Sequence, residues 1–235
     1  MTLAAELVTE SVQFTSDQFT IKAFLARPAA KGQLPAVIVI QEWWGLNDHI
    51  KDISQRFARE GYAALAPDLY SRLGHKVATD AAEAAKLMES LSSQAALRDL
   101  NAAAAFLSTQ RFVDLQRIGV VGFCMGGSFA LIMATHNSTI RAAVPFYGKV
   151  PPIETLNYLL CPILYHYGAK DGWVTREEVD RLKEGLAQYG KPGEVHIYPE
   201  AGHAFFNDTR PDAYRPTEAK EAWQRTLSFL GQHLR

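Results

Sequence analysis

The residues best suited to chemistry are Gly122-Phe123-Cys124-Met125-Gly126-Gly127. A cysteine framed by glycines can act as a nucleophile toward an acyl carbon. Ile118-Gly119-Val120-Val121 before it predicts a buried strand, and Ser128 to Ala134 after it predicts a helix. A strand that turns at once into a helix around Gly-x-nucleophile-x-Gly is a nucleophile elbow. The small neighbours let strand and helix approach closely, so the side chain projects into a cleft. The amide of the next residue, Met125, points at the same spot. Read alone, these residues also describe a glycine-rich turn around a buried structural cysteine.

Partners separate the two readings. A free thiol is mostly protonated at neutral pH, so the nucleophile needs a base, usually a histidine oriented by a carboxylate. His203 lies in Glu200-Ala201-Gly202-His203-Ala204-Phe205, just past the last expected strand. Asp171 lies in Gly168-Ala169-Lys170-Asp171-Gly172, just past another. The chain order Cys124, Asp171, His203 is the order nucleophile, acid, base of α/β-hydrolases. His166 falls inside a strand, and His49, His136 and His233 fall on helices, which assigns them surface or packing roles. No His-Glu-x-x-His or Cys-x-x-Cys pattern occurs, so neither a metal nor another cofactor is expected. Glu42 follows an apolar strand and on spacing alone is a solvated loop acid. The early strand-to-helix loop makes Trp43 N–H the second oxyanion donor, beside Met125 N–H.

The elements that must position these groups are legible in outline. Val8 to Phe14 alternates and Phe19 to Arg27 is extended, which predicts a hairpin turning at Ser16-Asp17. Ala36 to Ile40, Ala63 to Ala66, Ala142 to Phe146, Ile163 to Tyr167 and Val195 to Tyr198 are further strands, apolar enough to be covered on both faces. Asn47 caps a helix built on Ile50, Ile53 and Phe57. Asp80-x-x-Glu83 and Thr175-x-x-Glu178 have the capping-box spacing. A helix runs from about Ala95 to Gln110, and another opens at Thr217 with Trp223, Leu227, Leu230 and Leu234 on one face. Strands alternating with helices predict one α/β domain over residues 1–235, a mainly parallel sheet with helices on both faces. Sites in such sheets gather at the carboxyl ends of strands.

The chain as a whole resembles the dienelactone hydrolases (carboxymethylenebutenolidases). The matching elements are Gln41-Glu42-x-x-Gly45, Ala66-Pro67-Asp68-Leu69-Tyr70, the cysteine elbow, Tyr147-Gly148, Gly168-x-x-Asp171 and Ala201-Gly202-His203-x-Phe205. The resemblance implies an α/β-hydrolase fold without a large lid, a Cys124-His203-Asp171 triad and hydrolysis of a small-molecule ester or lactone. It also gives Glu42 a role, holding the resting thiol of Cys124 and helping to form the thiolate when substrate binds. Dienelactone-specific members clamp the substrate carboxylate with two arginines. Four residues after His203 this chain has Asn207, and Arg72 and Lys76 are the only cations near the second position. Trp44, Tyr70, Arg72, Tyr147, Trp173, Phe205 and Asn207 are the expected substrate-pocket residues, with core packing an equal reading for the aromatic ones. Thioesters and activated phosphotriesters are alternative substrates, and a non-catalytic ligand-binding module is the alternative outside enzymes.

Composition limits the partners. The 235 residues carry a formal net charge of -1, so no bulk attraction to nucleic acid or anionic membrane is expected. The first residues lack the basic and apolar segments of a signal peptide, and no apolar run approaches the length of a membrane span. Two cysteines, Cys124 and Cys161, form no disulfide framework. A cytoplasmic protein, monomeric or a small homo-oligomer, is the simplest expectation.

Overall fold

The computed structural model describes residues 6–30 and 32–234. The leader reading of residues 1–5 lies outside them. The strands are β1 (Leu7–Ser16), β2 (Phe19–Pro28), β3 (Leu34–Ile40), β4 (Ala63–Pro67), β5 (Val113–Phe123), β6 (Ile140–Phe146), β7 (Ile163–Gly168) and β8 (Gly193–Tyr198). The helices are α1 (Asp48–Arg59), α2 (Ala81–Ser90), α3 (Ser93–Ser108), α4 (Met125–His136), α5 (Arg176–Gln188) and α6 (Pro216–Leu234). The strands hydrogen-bond in the order β1-β2-β4-β3-β5-β6-β7-β8. The chain divides into two compact units, one up to Gly119 and one from Val120 onward.

In the first unit, β1 and β2 pair antiparallel from Leu7 opposite Pro28 to Ser16 opposite Phe19. The turn is therefore Asp17-Gln18, one residue later than the sequence suggests. Asp17 takes φ 52°, as tight hairpin turns require. β4 pairs antiparallel with β2 and parallel with β3. Every residue of β3 and β4 is buried, whereas β1 is exposed or half-buried at every position before Ser16. That contrast separates a strand covered on both faces from one at a sheet edge. In α1, Asn47 Oδ1 accepts the Ile50 N–H (3.2 Å), and Ile50, Ile53 and Phe57 are buried.

In the second unit, β6, β7 and β8 pair in parallel, with Phe146 opposite His166 and His166 opposite His196. Thr175 and Glu178 form a reciprocal capping box at the start of α5, a device contributing about 1 kcal/mol. Asp80 and Glu83 have the same spacing without the reciprocity. Asp80 accepts the Glu83 N–H, but the Glu83 carboxylate turns to the N–H of Thr79. α6 buries Ala219, Ala222, Thr226, Phe229, Leu230 and Leu234. Its core stripe therefore lies beside the expected Trp223 and Leu227, which are half-buried. Thr226 is the reason: its Oγ1 meets His166 Nε2 at 3.1 Å, which draws a polar position into the core.

Candidate active site

Cys124 stands between the end of β5 and the first residue of α4 with φ 56° and ψ -120°. A non-glycine residue pays roughly 1–3 kcal/mol for such a backbone and keeps it only where the surroundings impose it. Three hydrogen bonds impose it here. Cys124 N–H donates to Phe146 O (3.1 Å), and Cys124 O accepts the N–H groups of Gly127 (2.9 Å) and Ser128 (3.2 Å). A side chain on Gly122 would overlap the Gly126 carbonyl, so the glycine is what lets β5 and α4 converge on the turn. Met125 supplies the first amide of α4, where helix N–H groups lack intrahelical acceptors and favour negative charge.

The Phe146 end of β6 is itself pinned. Tyr147, with φ 39°, donates its N–H to His166 O (2.8 Å). Lys149 N–H donates to Ser128 Oγ (2.8 Å), and Tyr165 hydroxyl donates to Gly148 O. The same segment borders the histidine: the Tyr147 ring lies 5.0 Å from the His203 ring, edge to face. Trp173 flanks His203 similarly at 5.1 Å.

His203 Nδ1 lies 2.8 Å from Asp171 Oδ2. The Asp171 carboxylate is fully buried while the His203 side chain is 25% exposed. Asp171 Oδ1 accepts the N–H groups of Trp173 (2.7 Å) and Val174 (2.9 Å). Both oxygens are thus occupied, which offsets the cost of burying the charge. A carboxylate at Nδ1 fixes the tautomer that leaves Nε2 as the basic nitrogen.

The first unit holds Glu42 and Trp43 just past the carboxyl end of β3. Glu42 is 2% exposed, so it is not the solvated acid that spacing alone suggests. The 41–45 loop is stapled by the segment that follows β4. Gln41 Oε1 accepts Leu69 N–H (3.2 Å), Trp43 O accepts the Tyr70 hydroxyl (2.8 Å), and Trp44 O accepts Ala78 N–H (2.9 Å). Gly45 takes φ 96° and passes so close to Lys76 O that no side chain would fit.

Several expected pocket residues do other work. Tyr70 is wholly buried with its hydroxyl on Trp43 O, a support rather than a pocket wall. Arg72 is held by Asp99 (2.7 Å) and Asp17 (3.0 Å), touches Ser16 and lies over the Phe19 ring. That network commits its guanidinium to the β1–β2 hairpin and α3 and removes it as a substrate clamp. Asn207 is buried, and its Oδ1 accepts both the N–H and the hydroxyl of Thr209, as a turn-forming asparagine does. Phe205 packs in the core against Tyr147 and Tyr198. Tyr147 and Trp173 remain beside His203, and Trp44 sits edge-on to Trp43. Lys149, not named from the sequence, also stands beside the Trp173 ring. Its ammonium pairs with Glu178 (3.0 Å) and lies 5.4 Å from the Trp173 ring. Its place just past β6 was the available signal.

Strand order, elbow and the two strand-end loops define an α/β-hydrolase. The dienelactone hydrolase family model matches residues 21–234, and the chain belongs to that family. It is 37% identical to the "Probable 2-oxo-3-(5-oxofuran-2-ylidene)propanoate lactonase" of Bradyrhizobium sp., over 90% of this chain and 89% of that protein. The solved "Putative Dienelactone Hydrolase" of Klebsiella pneumoniae superposes with TM-score 0.90 at 33% identity, covering 97% of this chain and all of the other. P91, a dienelactone hydrolase-like promiscuous phosphotriesterase from metagenomic libraries, superposes with TM-score 0.88 at 25% identity, over 97% of this chain and 99% of that one. Among the described residues no helix is long and apolar enough to cross a membrane.

Proposed function

We propose that the protein hydrolyses carboxylic esters or lactones through a Cys124-His203-Asp171 triad. The observation that carries this reading is Cys124 held at positive φ on the elbow, in the same unit as the Asp171–His203 pair. His203 Nε2 takes the thiol proton as Sγ bonds to the acyl carbon. The carbonyl electrons move to oxygen, where the N–H groups of Trp43 and Met125 stabilise them. One such donor contributes about 3–4 kcal/mol to the transition state. Collapse expels the alcohol oxygen, which takes the proton from His203. In a lactone the alcohol stays tethered. His203 then removes a proton from water, which attacks the thioester and releases Cys124.

Glu42 gates the nucleophile. In this proposal the Glu42 carboxylate acts on the thiol as a like charge that opposes a resting thiolate, so Cys124 stays protonated until substrate arrives. No residue in this scheme calls for a metal or organic cofactor. The protein acts as one domain in the cytoplasm, as a monomer or a small homo-oligomer. Turnover of 4-nitrophenyl acetate tests the scheme. Cys124→Ala abolishes it while the fold survives, and a thiol reagent removes it stoichiometrically unless substrate protects. Full activity in Cys124→Ala sinks the triad. A second reading, cleavage of activated phosphotriesters at the same thiol, is favoured by the likeness to P91. Hydrolysis of diethyl 4-nitrophenyl phosphate lost together with the esterase in Cys124→Ala supports it.

A further inference from the structure

We infer that Tyr70 and the Asp68–His75 pair are positioning residues, which set the orientation of the Trp43 peptide for oxyanion stabilisation. The inference rests on the reading of Trp43 as an oxyanion donor and extends it to the residues that hold the donor still.

A backbone donor works in catalysis only if its direction is fixed before the charge develops. The Trp43 N–H lies in a loop, not in a strand or helix, so something outside the loop must fix it. The Tyr70 hydroxyl donates to the carbonyl of the same residue (2.8 Å). That bond pins the peptide following Trp43, and the contact of Gly45 with Lys76 O and the Ala78–Trp44 bond restrain the next turn.

Tyr70 is held in its turn. Its N–H donates to Asp68 Oδ1 (2.9 Å), and its carbonyl accepts the N–H groups of Leu73 (2.8 Å) and His75 (3.0 Å). His75 Nδ1 meets Asp68 Oδ2 at 3.0 Å, closing the segment into a ring of contacts. Asp68 is largely buried, and the backbone of His75 is at φ 59°. A strained backbone on a surface turn with a buried ion partner is over-determined for mere chain reversal. The segment also bonds to β2 through Lys22, but its bond to a carbonyl at the candidate site is the one from Tyr70 to Trp43.

Tyr70→Phe removes one hydroxyl and keeps the ring. The expected result is a fall in kcat of about tenfold for 4-nitrophenyl acetate, with KM within twofold and the unfolding midpoint showing a folded protein. The second readout is a trifluoromethyl ketone. Cys124 Sγ adds to its carbonyl carbon as the thiol proton passes to His203, the carbonyl electrons pass to oxygen, and no group leaves, so the bound adduct keeps the oxyanion without acyl transfer. Its affinity falls by the same factor as kcat/KM in Tyr70→Phe. His75→Ala, which loosens the segment without removing a bond to the loop, lowers kcat severalfold with KM unchanged. Wild-type kcat and ketone affinity in Tyr70→Phe overturn the inference, as does a loss confined to KM. Should Cys124→Ala stay active, the triad fails instead, so the two failures are distinguishable.

Discussion

Among the described residues two aspartate–histidine pairs have nearly the same shape. Asp171–His203 spans 2.8 Å with side-chain exposures of 0% and 25%, and Asp68–His75 spans 3.0 Å with exposures of 7% and 30%. Each joins a buried carboxylate to a half-buried imidazole. They differ in what surrounds them. Asp171 and His203 come from loops after two different strands, and the histidine is flanked by Tyr147 and Trp173. Asp68 and His75 lie seven residues apart in one segment that ends on the 41–45 loop. In the proposed scheme the first geometry orients a base, and the second ties a loop. An oriented imidazole is therefore no evidence of catalysis until a nucleophile shares its surroundings.

The comparison breaks most directly at the histidines. His203→Ala should lower kcat by roughly a thousandfold or more, as loss of a triad base does. His75→Ala should cost less than about tenfold in the same 4-nitrophenyl acetate assay. Equal losses would erase the distinction drawn between the pairs.

Next in size is Glu42. Glu42→Gln keeps the shape and deletes the charge. Alkylation of Cys124 in the substrate-free enzyme should quicken by about tenfold, with kcat falling, when both are followed from about pH 5 to 9. Identical alkylation curves and an unchanged kcat would leave a plain Cys-His-Asp esterase. Cys161 serves as the internal control. Burial pushes its thiol up to about 12, so it should resist the reagent throughout.

Substrate charge sharpens the picture of the His203 rim. With Arg72 committed to Asp99 and Asn207 to its turn, kcat/KM for a neutral short-chain ester should match or exceed that for dienelactone. A preference for dienelactone above about a hundredfold, roughly 2.7 kcal/mol, would point to Lys149. Its side chain is 40% exposed while its partner Glu178 is 13% exposed, so the pair presents its positive end. Lys149→Met would then reduce turnover of the anionic substrate and spare the neutral one.

The smallest effect is on stability. His166 is buried, with Nδ1 3.0 Å from the Tyr198 hydroxyl and Nε2 3.1 Å from Thr226 Oγ1. Burial holds its pKa well below the ordinary 6.5, with His196 and Arg225 adding to the shift. The unfolded chain therefore binds a proton that the native state refuses. The stability this group contributes is fully present above about pH 6.5 and declines as pH falls below it toward the native value. His166→Gln should be less stable at pH 8 but lose stability less steeply between pH 6.5 and 5 in urea unfolding. Equal slopes would remove His166 as the cause.

Much of this was legible in the chain alone, because its signals are local. Apolar runs of β3, β4 and β6 mark strands buried on both faces. Gly122 and Gly126 mark a turn that only small residues allow, and Asp171 and His203 mark strand ends in hydrolase order. The capping spacing at Asp80 was local too, yet Thr79 won the Glu83 carboxylate, a competition that spacing does not encode. Tertiary structure decided whatever depends on partners distant in sequence. Arg72 read as a substrate-pocket cation until Asp99, 27 residues away, took its guanidinium. Tyr70 read equally as a pocket or a core aromatic until its hydroxyl found the Trp43 carbonyl. Glu42 read by spacing as a solvated acid until the fold buried it. A side chain's type states what it can donate, accept or repel. Which group receives that capacity is set by folding, because burial and direction are properties of the packed chain.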